Sequence, residues 1–469
     1  MPSKGVELYS YIAVPGCEIE FQVPKTTIIK RDLHQLQKDH LEIDKKNLGG
    51  AFNFKGRFSF KVSRDGSEIT TQWVDVNVLT GNLENGTMKE MEQTPSVITN
   101  DLVVTYSFYD AGSGVAGLPR WEQCFVTVTW NHSNWMAAIA PSGSPQADRP
   151  FRRLILPAAH DVGMNSMQNC EALIQGAPGI AVKTFLKSGM LDGVVNGLAG
   201  GIVNDIASNI IRALAITQKD TLASILAIGA RYFEFRPAHI HDAILPHSPI
   251  PDKVYFQHGP IVGMLYEQFL HDIVHFLVEH PSEIVVVQLR YDGVPNECRR
   301  PSDDEYREVL ENALQAGSGS IHVGSYDDMN NLTINDLRNQ GKRLILFNGV
   351  DQYSTYDDAA NATLNGDTIV QAFDRLNDDE HNRHNITVIQ CQATATNIPD
   401  VIKYSAISSN ASTSPLLATK PICDAKTLPW IKDRLIDRLR GEKLTIVMND
   451  FFDGATADIC VGLSIQRLQ

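Results

Sequence analysis

The sequence predicts an α/β protein in two parts: an all-β, sandwich-like domain over residues 1–145, then a TIM-type (β/α)8 barrel, regular or distorted, over residues 146–469. Three observations lead there. Short apolar runs in the first part alternate with polar residues, the period-2 pattern of strands with one buried face. Residues 140–150 concentrate Pro, Gly and Ser and form the best linker in the chain. Beyond them, wholly apolar runs alternate with helical stretches, as parallel strands covered on both faces require.

In the first part, Phe52, Phe54, Phe58, Phe60 and Val62 fall in alternating runs, followed by 72–79, 102–108 and 124–130. Asp65-Gly66, Asn85-Gly86 and Gly112-Ser113-Gly114 supply turns between them. One short helical insertion is expected near residues 30–46. In the second part the strand-like runs are 154–156, 232–235, 254–257, 284–289, 344–347, 387–390 and 444–448, with an eighth expected near 404–408. Most end on a polar or ionisable residue: His160, Arg236, His258, Arg290, Asn348, Gln392 and Asp450. In a barrel of this type the C-terminal strand ends build the active site, so these side chains are expected to meet at one mouth.

Residues 172–216 interrupt the pattern with a Gly-, Ala-, Ile-, Val- and Leu-rich insert whose charged side chains are only Lys183, Lys187, Asp192, Asp205 and Arg212. It reads either as an amphipathic lid or peripheral membrane contact beside the mouth, or as buried helices packed on the barrel.

Bulk properties narrow the function. A net charge of −14 and the lack of a basic run argue against nucleic-acid binding. Seven widely spaced cysteines suggest buried free thiols, not a zinc site or a disulfide framework. The N-terminus shows no signal-peptide pattern, so a cytoplasmic or peripheral-membrane location is expected.

Three segments carry the candidate chemistry. The first strand runs into His160-Asp161; neighbours on a strand face opposite ways, so the two do not pair directly unless the chain has already turned. In 229–237, Arg231 stands at the strand start, while Glu234 and Arg236, two apart, project to one side. That pair is either a simple ion pair or a fixed cation beside a substrate phosphate. The third segment ends an apolar run on His258-Gly259-Pro260. Two histidines, a carboxylate and an inward arginine form a coherent set for phosphoryl chemistry, in which one imidazole takes a proton, the other gives one, and the guanidinium steadies phosphoryl charge.

His160-Asp161, the Gly-x-Arg-Tyr-Phe-x-x-Arg of 229–236, His258-Gly259-Pro260 and the helix-to-strand stretch 276–287 resemble the catalytic X region of phosphatidylinositol-specific phospholipases C. Thr217-Gln218 is similar, more narrowly, to fungal members of that superfamily. The resemblance covers about residues 150–300 well and does not reach 1–145. With Asp after the first His and Glu234-x-Arg236 on the second strand, the pattern is similar to the metal-independent bacterial type, in which an arginine stands where other members bind calcium.

The resemblance implies a phosphodiesterase or phosphorus–oxygen lyase that needs no metal and no cofactor. His160 would be the general base, supported by a last-strand carboxylate, Asp450 or else Asp453. His258, partnered by Asp161, would be the general acid, with Arg236 as the fixed cation. Glu234, Arg290 and Asn348 would contact the substrate, a phospholipid or other phosphodiester with a neighbouring hydroxyl. Asn348 stands where a basic residue is expected, which points to a different headgroup. The competing readings are a barrel reused for cyclisation or dehydration of a phosphate-free metabolite, and an inactive lipid- or glycan-binding protein.

Overall fold

A computed structural model describes residues 2–111, 119–186, 203–317, 319–358, 365–393 and 414–469. The N-terminal part forms two five-stranded sheets. One runs in the order Gln37–Asp44, Ser3–Ile12, Glu122–Trp130, Leu102–Tyr109, Val97–Ile98, and the other Thr26–Lys30, Cys17–Val23, Lys55–Arg64, Ser67–Asn77, Leu83–Gly86. Neighbours are antiparallel except Ser3–Ile12 against Glu122–Trp130. Phe60 meets Tyr106 at 5.1 Å between ring centroids and Phe58 meets Phe108 at 5.5 Å, so the two sheets share one apolar cluster.

The helical insertion expected near residues 30–46 is instead mostly strand. Gln37–Asp44 pairs along its length with Ser3–Ile12 and buries Leu41 and Ile43 with period 2. Its lysines suggest a solvated helix face, but a long-range partner overrides local propensity, leaving only the single turn Lys45–Asn47 helical.

The C-terminal part is built on an eight-stranded, wholly parallel, curled sheet. Its order is Val323–Gly324, Leu344–Asn348, Val285–Leu289, Tyr232–Phe235, Ile155–Ala159, Leu444–Asn449, Ile386–Gln390, Tyr353–Ser354. The strands of this sheet that come first and last in the chain lie side by side, Ile155 to Ala159 against Thr445 to Asn449. Val323–Gly324 and Tyr353–Ser354 are the two edges, and they do not pair with each other among the described residues.

Six of the seven apolar runs take places in this sheet. The run at 254–257 does not. Its strand, Tyr255–His258, belongs to a separate three-stranded antiparallel sheet with Pro237–Ala238 and Ile261–Leu265. The cause is local: the chain folds back after Arg236-Pro237, and Gly259, at φ +60°, closes a tight hairpin after His258. Val285–Leu289 takes the vacant place beside Tyr232–Phe235. The strand expected near 404–408 lies outside the described residues.

A seam joins the two parts. Arg231, fully buried, donates to the carbonyls of Leu226 and Ala230 on one side and of His132 and Ser133 on the other, and its Nε lies 2.8 Å from Glu283. Tyr11 donates to Asp458 at 2.7 Å, the Ser96 N–H and hydroxyl to Asp220 at 2.7 and 2.8 Å, and Lys219 to the Thr94 carbonyl at 2.8 Å. All seven cysteines are free and buried. Among the described residues no helix is long and apolar enough to cross a membrane.

Candidate active site

The site lies where parallel strands end. The His160 N–H donates to the Asn449 carbonyl at 3.0 Å, which carries the pairing of the first and last strands one residue further. The chain then turns: Asp161 has φ +42° and its carbonyl accepts from the Met164 N–H at 2.7 Å. Gly163 is needed here because a Cβ would fall 2.2 Å from the Phe256 ring. The last strand makes a matching turn, with Phe451 at φ +43°.

Thr217 and Gln218 hold the two turns together. The Thr217 hydroxyl donates toward the His160 and Asp161 carbonyls at 3.1 and 3.0 Å, and the Thr217 carbonyl accepts from the Phe451 N–H at 2.7 Å. The buried Gln218 amide donates to the carbonyls of His160 and Asn449 at 2.8 and 3.2 Å and accepts from the Phe452 N–H at 2.9 Å. Both residues are known from the sequence only as part of a resemblance; their clamping role leaves no signal in composition or periodicity.

His160 Nδ1 and Asp450 Oδ1 are 2.8 Å apart, a hydrogen bond. Asp453 is turned away: it caps the helix Gly454–Leu468 through the Thr456 N–H and lies 3.3 Å from the buried Lys420. Asp161 sits between the imidazoles, its Oδ2 3.7 Å from Nε2 of both His160 and His258. At that distance it acts through charge and not through a direct hydrogen bond. Its other oxygen forms a 2.8 Å ion pair with Arg236. Glu234, two residues before Arg236, pairs with Arg290 at the end of the next strand, and Arg290 also reaches Asp292 at 2.6 Å. His258 therefore reaches the mouth from the antiparallel hairpin, while His160, Arg236 and Arg290 reach it from parallel strands.

These contacts set the protonation. Burial acts to lower the His160 pKa, but Asp161 and Asp450 together outweigh it and raise it to about 9. Burial lowers His258 to about 4; Asp161 opposes this and Arg236 adds to it. Burial would raise Asp161, yet Arg236 and the two imidazoles hold it down at about 2. Asp450 is raised by burial, against the pull of His160. Between about 4 and 9 the two imidazoles thus share one proton, which in the free site rests on His160.

His160, Asp161 and Glu234 each present a ligand atom within 4.8 Å of the others and are the described residues that could hold a metal ion. Each of the two carboxylates already faces a guanidinium, Arg236 or Arg290.

Above these groups opens a cavity of about 730 Å³, within the usual range for small-ligand sites. His160, Asp161, Glu234, Arg236, His258, Arg290 and Asp450 all line it. Asn348 does not: it is exposed at the end of its strand, and the residues after it, Val350 to Gln352, reach the cavity instead. Ser354 and Tyr356 also line it and carry no sequence signal, since Tyr353–Ser354 is too short to show a period, whereas Gln390 and Gln392, which line it too, belong to the end of the run 387–390. Of the insert, the described residues complete the helix Gln168–Gly176 and form the helices Pro178–Leu186 and Val203–Ala215; Phe185, Ile211 and Leu214 of the latter two line the cavity and pack into the core cluster.

No family model and no curated protein sequence matches the chain. In structure it is similar to bacterial phosphatidylinositol-specific phospholipases C. The enzyme from Listeria monocytogenes has 14% identity and a TM-score of 0.40, covering 71% of this chain and 98% of the other. A pentafluoro-Phe form of the Staphylococcus aureus enzyme has 14% identity and a TM-score of 0.41, covering 71% and 97%. A further Staphylococcus aureus structure, concerned with modulation of membrane binding, has 13% identity and a TM-score of 0.39 over the same shares.

Proposed function

We propose that the chain is a metal-independent phosphodiesterase of the phosphatidylinositol phospholipase C type, which cleaves a phosphodiester by attack of the substrate's own neighbouring hydroxyl. The observation that carries this reading is Asp161 held between two imidazoles and a guanidinium, with Asp450 on the far nitrogen of His160. A binding scaffold has no need of a histidine pair whose proton affinities are driven so far apart.

In the proposed reaction His160 takes the proton of the hydroxyl, which attacks phosphorus. Arg236 faces the phosphoryl oxygens, and His258 gives a proton to the departing alkoxide as its P–O bond breaks. The products are a cyclic phosphodiester and an alcohol. Water opens the ring with the two histidines in exchanged roles. In the free site the shared proton rests on His160, so it must pass to His258 when the anionic substrate arrives. A phosphate charge beside His258 and Arg236 supplies the driving force, because it favours the imidazolium. The two guanidiniums supply the charge that a divalent ion would otherwise bring. On this reading the curled sheet is a (β/α)8 barrel open on one side, the N-terminal sheets form a sandwich over 1–145, and the substrate is a lipid or lipid-like phosphodiester.

The test is turnover of phosphatidylinositol and of a soluble inositol phosphodiester in excess EDTA. Cyclic phosphate should form with chelator present. Absence of turnover on both, or activity that returns only with added metal, would overturn the reading.

The pH dependence follows from the pair. Below about 4 both imidazoles carry protons and no base remains; above about 9 neither does and no acid remains. The profile of kcat/KM on the soluble diester is therefore expected to rise through about 4 and fall through about 9. A profile with a single limb would contradict a two-histidine mechanism.

A further inference from the structure

A second charged cluster lies beside the His160–Asp450 pair, and none of its members lines the cavity. The helix Pro415–Arg438 carries Lys420 and Asp424 one turn apart, both buried. Lys420 Nζ lies 2.5 Å from Asp424 Oδ2 and 3.3 Å from Asp453 Oδ2, with the Phe125 ring of the N-terminal part 5.3 Å away. The second Asp424 oxygen accepts from the Asn449 side-chain amide at 2.8 Å. Asp453 Oδ1 accepts from the Thr456 N–H and hydroxyl, both at 3.0 Å. All four carboxylate oxygens thus face donors, which suits the ionised form. One ammonium serves two carboxylates, so the cluster carries one negative charge in surplus.

Asn449 joins this cluster to the site. It precedes Asp450 in the chain, and its carbonyl accepts from the His160 N–H at 3.0 Å. Its side-chain amide is held by Asp424 on one side and by the Thr456 hydroxyl, at 3.1 Å, on the other. Packing asks for none of these charges, because hydrophobic residues of similar volume hold neighbouring elements together as well as a buried ion pair does. Burial acts to lower the Lys420 pKa, but Asp424 and Asp453 outweigh it and raise it. Burial raises Asp424, and Lys420 opposes this. Lys420 also pulls on Asp450, which burial raises. The other titratable groups around the cluster are Cys391, Cys423 with Tyr9 beyond it, and Tyr11 with its partner Asp458; burial raises the two thiols and the two phenols, which stay neutral.

We propose that Lys420, Asp424 and Asp453 form a positioning cluster: through Asn449 they aim Asp450 at His160, and their surplus negative charge favours the imidazolium there. Its use in turnover rests on the phosphodiesterase reading. Its effect on His160 does not.

The experiment follows His160 in the full chain, labelled with 13C-histidine, by NMR across a pH titration, its signal assigned by its loss in His160→Gln. The same proteins are assayed for kcat/KM against pH on the soluble diester. Asp424→Asn and Asp453→Asn each remove one negative charge; the first keeps an acceptor for Asn449, and the second keeps a good helix cap. In each, the His160 titration point should fall by about one pH unit, which is what a unit charge roughly 10 Å away exerts at an effective dielectric constant of about 20. The falling limb of the kcat/KM profile should move down with it. A cluster that only holds the fold would lower activity and melting temperature and leave the His160 titration where it was. An unmoved His160 titration in both folded variants would overturn the proposal, and a two-limbed wild-type profile beside it would leave the phosphodiesterase reading standing. A shifted titration in a chain that turns over neither diester would uphold the cluster's effect on His160 and overturn the phosphodiesterase reading.

Discussion

His160→Ala is expected to lower kcat on a phosphodiester by about 10²–10⁴-fold with KM little changed, the range over which a positioned acid or base accelerates proton transfer. The reason is specific to this arrangement. Asp450 lies 2.8 Å from His160 Nδ1, so it fixes the ring and leaves Nε2 to face the substrate; no other described side chain could inherit both tasks. His258→Ala should cost a similar factor. The double variant should fall little below either single one, because residues that act as a unit do not contribute additively. Steady-state formation of the cyclic product is the measurement. A loss under tenfold in either single variant would mean that the pair is structural.

The largest stability effect should come from Glu283→Ala. Arg231 is fully buried, and Glu283, also buried, is the carboxylate that balances it, while the Glu283 Oε1 accepts from the Ala137 N–H at 3.0 Å. Removing one partner leaves an uncompensated charge in the interior, which costs about 3–5 kcal/mol. Replacing both, as in Arg231→Met with Glu283→Leu, should cost less than Glu283→Ala alone, since no charge is then stranded. Urea denaturation would read both. A single-variant loss below about 1 kcal/mol would mean that water or a shifted side chain reaches the guanidinium.

How far the sequence foretells this site depends on what kind of contact does the work. Apolar strands that stop on an ionisable residue are visible as runs, so His160, Arg236, Arg290 and Asp450 stand out. His258 stands out equally, yet its strand pairs antiparallel in another sheet, because a four-residue apolar run is the same whichever neighbour it finds. Asn348 lies outside the cavity while Val350, two residues later, lines it, and strand-end geometry is not resolved by composition. The strand at Gln37–Asp44 was hidden because its partner, Ser3–Ile12, lies some thirty residues away and defines it. Thr217 and Gln218 act on backbone carbonyls, which every residue owns, so nothing in the partners' identities could announce them. Nor could the resting place of the proton be foreseen, since it follows from Asp161 and Asp450 both lying near one imidazole.

By composition, residues 140–150 are a tether between two bodies. Energetically the junction lies elsewhere, in Arg231 with its four carbonyls, in Tyr11 on Asp458, and in Ser96 on Asp220. A protease that cut the tether would yield two polypeptides that still sediment together and melt in one transition.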